Sequence, residues 1–241
     1  MLNSHIPMPG TRHRRVVAPL RTCLALVSMW GCFADTPTVN DDPSSHLRVV
    51  HAVPNGPAVN LVIDSTPGLQ GLAFGTVTGF LAVEAGERRV RLMTTGASPT
   101  AILDDTVTLD FPRAYTLLST GLIGNVEGVF AADTAPIPLS GNIALRVIHA
   151  SPGAGDVDIY VGAPGSALSG TPMLEDLVFR GNSEYFAYPT GRYRIRLTAA
   201  GTTNVLLDQT ILFPERAMRT IVVIDAVGGG LPINGLLLVD Y

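Results

Sequence analysis

LRVVHAVPNGPAVNLVID, residues 47–64, returns 98 positions later as LRVIHASPGAGDVDIYVG, residues 145–162. Outward from this pair the match continues in order. The run from Phe74 through LAVEAGERRVRL to Leu92 aligns with the run from Phe179 through FAYPTGRYRIRL to Leu197, now at an offset of 105. The change of offset places seven extra residues in an early loop of the second copy, within GAPGSALSGTPM (Gly162 to Met173). ILDDTVTLDFPRAYTLL then pairs with LLDQTILFPERAMRTIVV, and VEGVFAAD (Val126 to Asp133) with INGLLLVD (Ile233 to Asp240). Preserved order over this length makes the body two homologous units, residues 47–139 and 140–241.

Each unit reads as all-β. Short runs of Val, Ile, Leu, Thr and Tyr alternate with Gly, Pro, Asn and Asp clusters, and no stretch keeps a helical period. In RYRIRL, Tyr193, Ile195 and Leu197 point one way and Arg192, Arg194 and Arg196 the other, as a two-residue repeat requires. The second unit is expected to carry strands near 144–149, 156–161, 174–179, 184–188, 192–198, 204–212, 218–225 and 234–240. That density predicts two tandem antiparallel β-sandwiches of immunoglobulin-like or transthyretin-like type. TAPIPLSGN (Thr134 to Asn142) reads as a short hinge, because Pro136 and Pro138 cannot both sit in a central strand.

The opening R-V-[VI]-H-A-x-P, the strand VNLVID or VDIYVG, then FGTV, L-A-V-x-A-G and Y-T-L-L resemble the bacterial family catalogued as Domain of Unknown Function 4397, over both units. The resemblance implies β-sandwich repeats in an exported envelope protein or lipoprotein, and implies no activity.

The amino terminus differs from the body. Arg12, Arg14, Arg15 and Arg21 precede the uncharged apolar run TCLALVSMWGCFA (Thr22 to Ala34), the layout of a signal peptide over residues 1–34. Thirteen residues fall short of the about 20 that a spanning helix needs. Met29, Trp30, Gly31 and Cys32 resemble a lipobox, in which Cys32 is acylated and becomes the first residue of the mature chain. Trp30 stands where a small or aliphatic residue is usual. Cleavage after Cys32-Phe33-Ala34 is the competing reading and would release a soluble periplasmic or secreted protein. Residues 35–46, DTPTVNDDPSSH, read as a flexible tether. Phe33 is not the Asp that retains many lipoproteins at the inner membrane, so the resemblance points to the outer membrane or cell surface. Cys23 and Cys32 are the only cysteines, leaving an exported body without a disulfide.

All 16 basic residues are Arg, four of them before Cys32, so a chain starting there carries 12 Arg against 20 Asp and Glu, a net of −8. A nucleic-acid partner is thereby disfavoured. No G-x-S-x-G, H-E-x-x-H, P-loop or C-x-x-C pattern is present, and no catalytic residue, enzyme activity or cofactor is expected. Two constellations carry candidate chemistry. His51 and His149 are equivalent, each three residues after an Arg, and His149 with Asp156 and Asp158 could offer one imidazole and two carboxylates to a divalent ion or a metal-dependent hydrolase. The first unit has Ala58 and Asn60 where those carboxylates stand, and turn-amide hydrogen bonding, with the histidines fixing the start of the first strand, is the preferred reading. Arg192, Arg194 and Arg196 could grip an anionic ligand or partner, or pair with acids on neighbouring strands. The functions compatible with these features are a lipid-anchored spacer or protein-interaction module, a cell-surface glycan-binding module, for which 15 aromatics with the one Trp in the signal leave few stacking platforms, and the hydrolase. The partner expected is an envelope protein or glycan, with the membrane reached through Cys32.

Overall fold

The computed structural model describes residues 43–133 and 135–240. The stretch expected to be a signal peptide, with Cys32, and the part of the expected tether up to Asp42 lie outside the described residues. β1 begins at Ser44, so Ser44, Ser45 and His46, read above as tether, are strand.

The first repeat forms β1 (Ser44–Ala52), β2 (Val59–Ile63), β3 (Thr66–Pro67), β4 (Leu81–Glu84), β5 (Gly86–Thr94), β6 (Ala101–Leu109), β7 (Ala114–Thr120) and β8 (Glu127–Ala132). The second forms β9 (Asn142–His149), β10 (Val157–Gly162), β11 (Leu174–Leu177), β12 (Phe186–Pro189), β13 (Gly191–Ala199), β14 (Val205–Phe213), β15 (Met218–Ile224) and β16 (Asn234–Val239). Among the described residues there is no helix. All eight strands expected in the second repeat are present, within a few residues of the expected bounds.

Each repeat is a sandwich of two four-stranded sheets, ordered β3-β2-β5-β6 over β4-β1-β7-β8 and β11-β10-β13-β14 over β12-β9-β15-β16. Pairing is antiparallel except at the centre of the inner sheets, where β1 lies parallel to β7 and β9 parallel to β15. The expectation of wholly antiparallel sheets is corrected there. The intervening hairpin, β5–β6 or β13–β14, belongs to the other sheet and returns the chain to the end from which β1 or β9 set out.

Burial explains the sequence of the inner strands. β7 is buried at every position, and β1, β9 and β15 nearly so. A strand covered on one face alternates; one covered on both reads as a continuous apolar run. Leu47 and Val49 face the core of their own sandwich, with Leu61, Val90, Leu92 and Leu117. Leu145 and Val147 do the same with Ile159, Ile195, Leu197 and Phe213. The alternate residues Val50, Ala52, Ile148 and Ala150 enter a third core, shared with Leu118, Val129, Val222, Ile224 and Leu238. The two inner sheets thus pack on each other and the body is four sheets deep. The shared core holds seven of the larger aliphatic side chains. Burying them is worth on the order of 15 kcal/mol of gross transfer free energy, at about 2 kcal/mol for each. Residues 134–142, read as a hinge, therefore connect two sandwiches that are held together.

Candidate functional site

Charged side chains sit inside the shared core. Arg48 on β1 and Arg146 on β9 occupy equivalent positions on the faces turned toward the other repeat, and both are 2% exposed. Arg48 donates from Nη2 to Asp133 Oδ2 (3.1 Å) in its own repeat and to Asp240 Oδ1 (2.6 Å) across the junction. Its Nη1 donates across to the Val239 carbonyl at 2.9 Å. Arg146 reaches back, Nη2 to Asp133 Oδ1 (2.5 Å) and Nη1 to the Ala132 carbonyl (3.0 Å). Thr116 and Thr220 fill matching corners: each hydroxyl accepts from its arginine and donates to Asp133 or Asp240. Phe80 and Tyr185 cover the two guanidinium planes, each ring centre 4.6 Å from Cζ. The Tyr185 hydroxyl donates to Asp240, and burial raises its pKa well above the ordinary tyrosine value. Two buried arginines thus face two buried carboxylates, each of whose oxygens accepts at least one hydrogen bond, the condition under which burial of charge is tolerated.

The histidines do local work. His51 Nδ1 lies 3.1 Å from Ser119 Oγ and Nε2 lies 3.0 Å from the Pro57 carbonyl; His149 Nε2 lies 2.6 Å from the Gly155 carbonyl. His149 Nδ1 accepts from the Ser151 amide, which leaves the proton on Nε2 to meet Gly155. Both rings therefore staple the turn that follows the first strand, not the start of that strand as expected. Burial lowers both imidazole pKa values, partly opposed by the bonds to the carbonyls.

His149, Asp156 and Asp158 do not converge. Asp156 is exposed on the turn. Asp158 is buried and spends its oxygens on the amides of Asp176 (2.9 Å) and Gly201 (2.8 Å). Asn60, its counterpart, likewise accepts from the Gly71 amide, so Asp and Asn serve the same turn-capping end in the two repeats. Among the described residues no three His, Cys, Asp or Glu side chains group as they would around one metal ion. Asp225 bonds Ser151 Oγ and the amides of Gly153 and Gly230, tying the Gly228–Gly230 loop to the turn after β9. All three glycines of that loop have positive φ, so it is glycine for backbone reasons.

The arginine ladder is mostly engaged. Arg194 forms a bidentate pair with Asp208 (2.8 and 2.5 Å), as Arg89 does with Asp104 (2.6 Å for both bonds). Arg194 Nη1 also holds the Ser166 carbonyl and Arg196 Nη2 the Ala167 carbonyl, so the longer loop of the second repeat is folded down over the ladder. Arg196 is 4% exposed and its Nε has no protein partner, while Arg192 stands exposed.

Sequence reasoning missed the Arg48, Arg146, Asp133 and Asp240 network. Its signal was available: the same Arg, Thr and Asp recur at equivalent places in both copies, with each Arg inside an otherwise apolar strand.

The family model described as Domain of unknown function (DUF4397) matches residues 45–160 and 145–240. No curated protein matches the chain. Among solved structures, one described as alpha-glucan binding by a streptococcal virulence factor is 13% identical, with 74% of this chain and 93% of that chain covered and a TM-score of 0.27. The Bacillus anthracis TIE protein is 11% identical, with 76% and 34% covered and a TM-score of 0.25. CBMbc, of family CBM26, from Eubacterium rectale Amy13K in complex with maltoheptaose is 11% identical, with 80% and 96% covered and a TM-score of 0.27. Superposition this loose transfers neither ligand nor activity.

Proposed function

The chain belongs to the DUF4397 family, and from that premise we propose that it is a non-catalytic exported envelope protein, anchored through Cys32, whose body serves as a rigid spacer or protein-interaction module. The observation that carries the reading is the junction between the repeats. A shared apolar core and a satisfied network of buried charge join the sandwiches into one body, which holds a fixed length and orientation where a hinged pair would not. The residues with candidate catalytic chemistry support it too, since His51, His149 and Asp158 are committed to fixing turns.

The test is fractionation of a bacterial envelope expressing the full chain or Cys32→Ala, with mass spectrometry of the mature amino terminus. The wild-type chain is expected in the membrane fraction with a diacylglycerol mass on Cys32, and the variant in the soluble fraction. An unmodified chain starting at Asp35 would overturn the anchor. A thermal-shift series with divalent metals and envelope glycans is expected to leave the midpoint in place. A ligand at about 100 times its Kd would add roughly 2.7 kcal/mol, and such a shift would overturn the spacer reading.

A further inference from the structure

We propose that the end of the body from which β1 starts rests on a lipid bilayer and inserts Phe111, Ile137 and Leu139 into its interface; this builds on the reading of Cys32 as the lipid attachment site. Phe111 lies in the β6–β7 turn, and Ile137 and Leu139 lie in the segment joining the repeats. Phe111 is 58% exposed, Ile137 62% and Leu139 80%. A water-facing surface does not need such a cluster of large apolar side chains. Two clefts join them. One, of about 430 Å³, runs between the turn and the connector and is lined by His46, Phe111, Ile137 and Met218. The other, of about 360 Å³, lies between the connector and β12, with Ile137 and Leu139 on its walls. Ile137 borders both, so the apolar surface is continuous. Pro112, Pro136 and Pro138 interleave with it and carry no backbone N–H to strip of water on insertion.

The chain preceding this surface selects the occupant. Eleven positions separate Cys32 from Pro43, where the described body begins. That span reaches at most about 38 Å when extended and about 20 Å as a coil. β1 starts one residue later, at this same end, and runs nine residues away from it, which puts the opposite end about 30 Å further off. An acylated Cys32 thus holds this apolar end beside the bilayer and makes its contact intramolecular. The far end also exposes apolar side chains, Val227 at 85%, Leu231 at 57% and Ile123 at 44%, but the chain from Cys32 enters the described body at the other end. Arg113 on the cleft rim faces Asp110 at 3.6 Å, and Glu215, which accepts from Ser140 and Gly141 beside Leu139, has Arg216 close enough to help lower its pKa, so the charges at this end are balanced and the contact should persist in salt.

Trp30 is the only Trp of the chain and precedes both candidate cleavage points, so the mature protein is Trp-free. The full chain is made in a bacterial host with Leu139→Trp or Val227→Trp, purified in mature form, and mixed or reconstituted with phosphatidylcholine vesicles whose tails are brominated. Mass spectrometry records acylation separately. The Leu139→Trp emission should fall by more than half, unchanged in about 1 M salt, where the Debye length is near 3 Å. Val227→Trp should keep its emission, and adding Phe111→Ser and Ile137→Ser should restore that of Leu139→Trp with the melting curve still cooperative. An acylated protein with unquenched Leu139→Trp, or equal quenching at both positions, would overturn the inference while leaving the anchor standing. An unacylated protein whose Leu139→Trp is quenched by added vesicles would support the inference and remove the anchor. Absence of both would remove both.

Discussion

Asp133→Asn tests whether the junction is held by charge. Asp133 accepts from Arg48 (3.1 Å), Arg146 (2.5 Å) and Thr116 (2.5 Å), and the arginine and Asp133 side chains are no more than 3% exposed. The amide keeps the shape and removes one of two negative charges facing two buried guanidinium groups. Breaking a buried pair from one side costs about 3 to 5 kcal/mol, because the remaining ion is left without its counter-charge. In a chain this size each kcal/mol is worth about 2 to 4 °C, so the midpoint should fall by about 6 to 20 °C. The loss falls on the contact between repeats, so urea unfolding followed by far-ultraviolet circular dichroism should broaden or divide in two. Adding Arg146→Met should recover part of the loss by removing the orphaned charge, and that recovery measures the coupling. A loss below about 1 kcal/mol, the size of an exposed pair, would refute the reasoning.

Both buried imidazoles are held below their ordinary value of 6.5 by desolvation. Their contribution is therefore complete above pH 6.5 and is lost as pH falls toward the folded values, with a slope of up to about 2.7 kcal/mol per pH unit for two groups. Denaturation midpoints across pH 5 to 8 should show that decline, and His51→Gln with His149→Gln should flatten it. Gly153→Ala would place a Cβ 2.6 Å from the Gly230 Cα. Such overpacking costs about 1 to 3 kcal/mol in a thermal melt, whereas Gly79→Ala, with open space around it, should leave the midpoint nearly unchanged. Arg194→Gln removes the hold on Ser166 and Asp208 at a half-exposed site. Limited proteolysis within residues 163–173 should rise several-fold, with little change in global stability.

The strands were legible because side-chain alternation depends on one covered face, as RYRIRL records: Ile195 and Leu197 are buried and Arg192 and Arg194 are not. Arg196 breaks the pattern because the longer loop covers it, and loop placement is not a periodic property. The inner strands were legible as strands from LRVV and LRVI, but such runs do not say what covers the second face. The parallel register of β1 with β7 depends on the return path of an intervening hairpin, which leaves no local mark. The preferred reading of Asp158 as a turn cap followed from the habit of strand-end carboxylates to bind turn amides, while Ala58 and Asn60 at the matching positions set aside a metal site common to both repeats. The buried network was harder, since Asp133 stands 85 positions and Asp240 192 positions from Arg48, and although Arg146 is 13 positions from Asp133, they lie in different repeats with the connector between them.

The cross-junction contacts exchange like for like: Arg48 meets Val239 and Asp240, and Arg146 meets their counterparts Ala132 and Asp133. Such an isologous pairing uses the same patch on each partner and is complete at two. Solenoid repeats offer different top and bottom surfaces and can be lengthened indefinitely. A third copy added to this chain would find no free inner sheet to join, so the valence of this junction is saturated within one polypeptide. Arrays longer than two would have to grow in pairs, each pair a closed block.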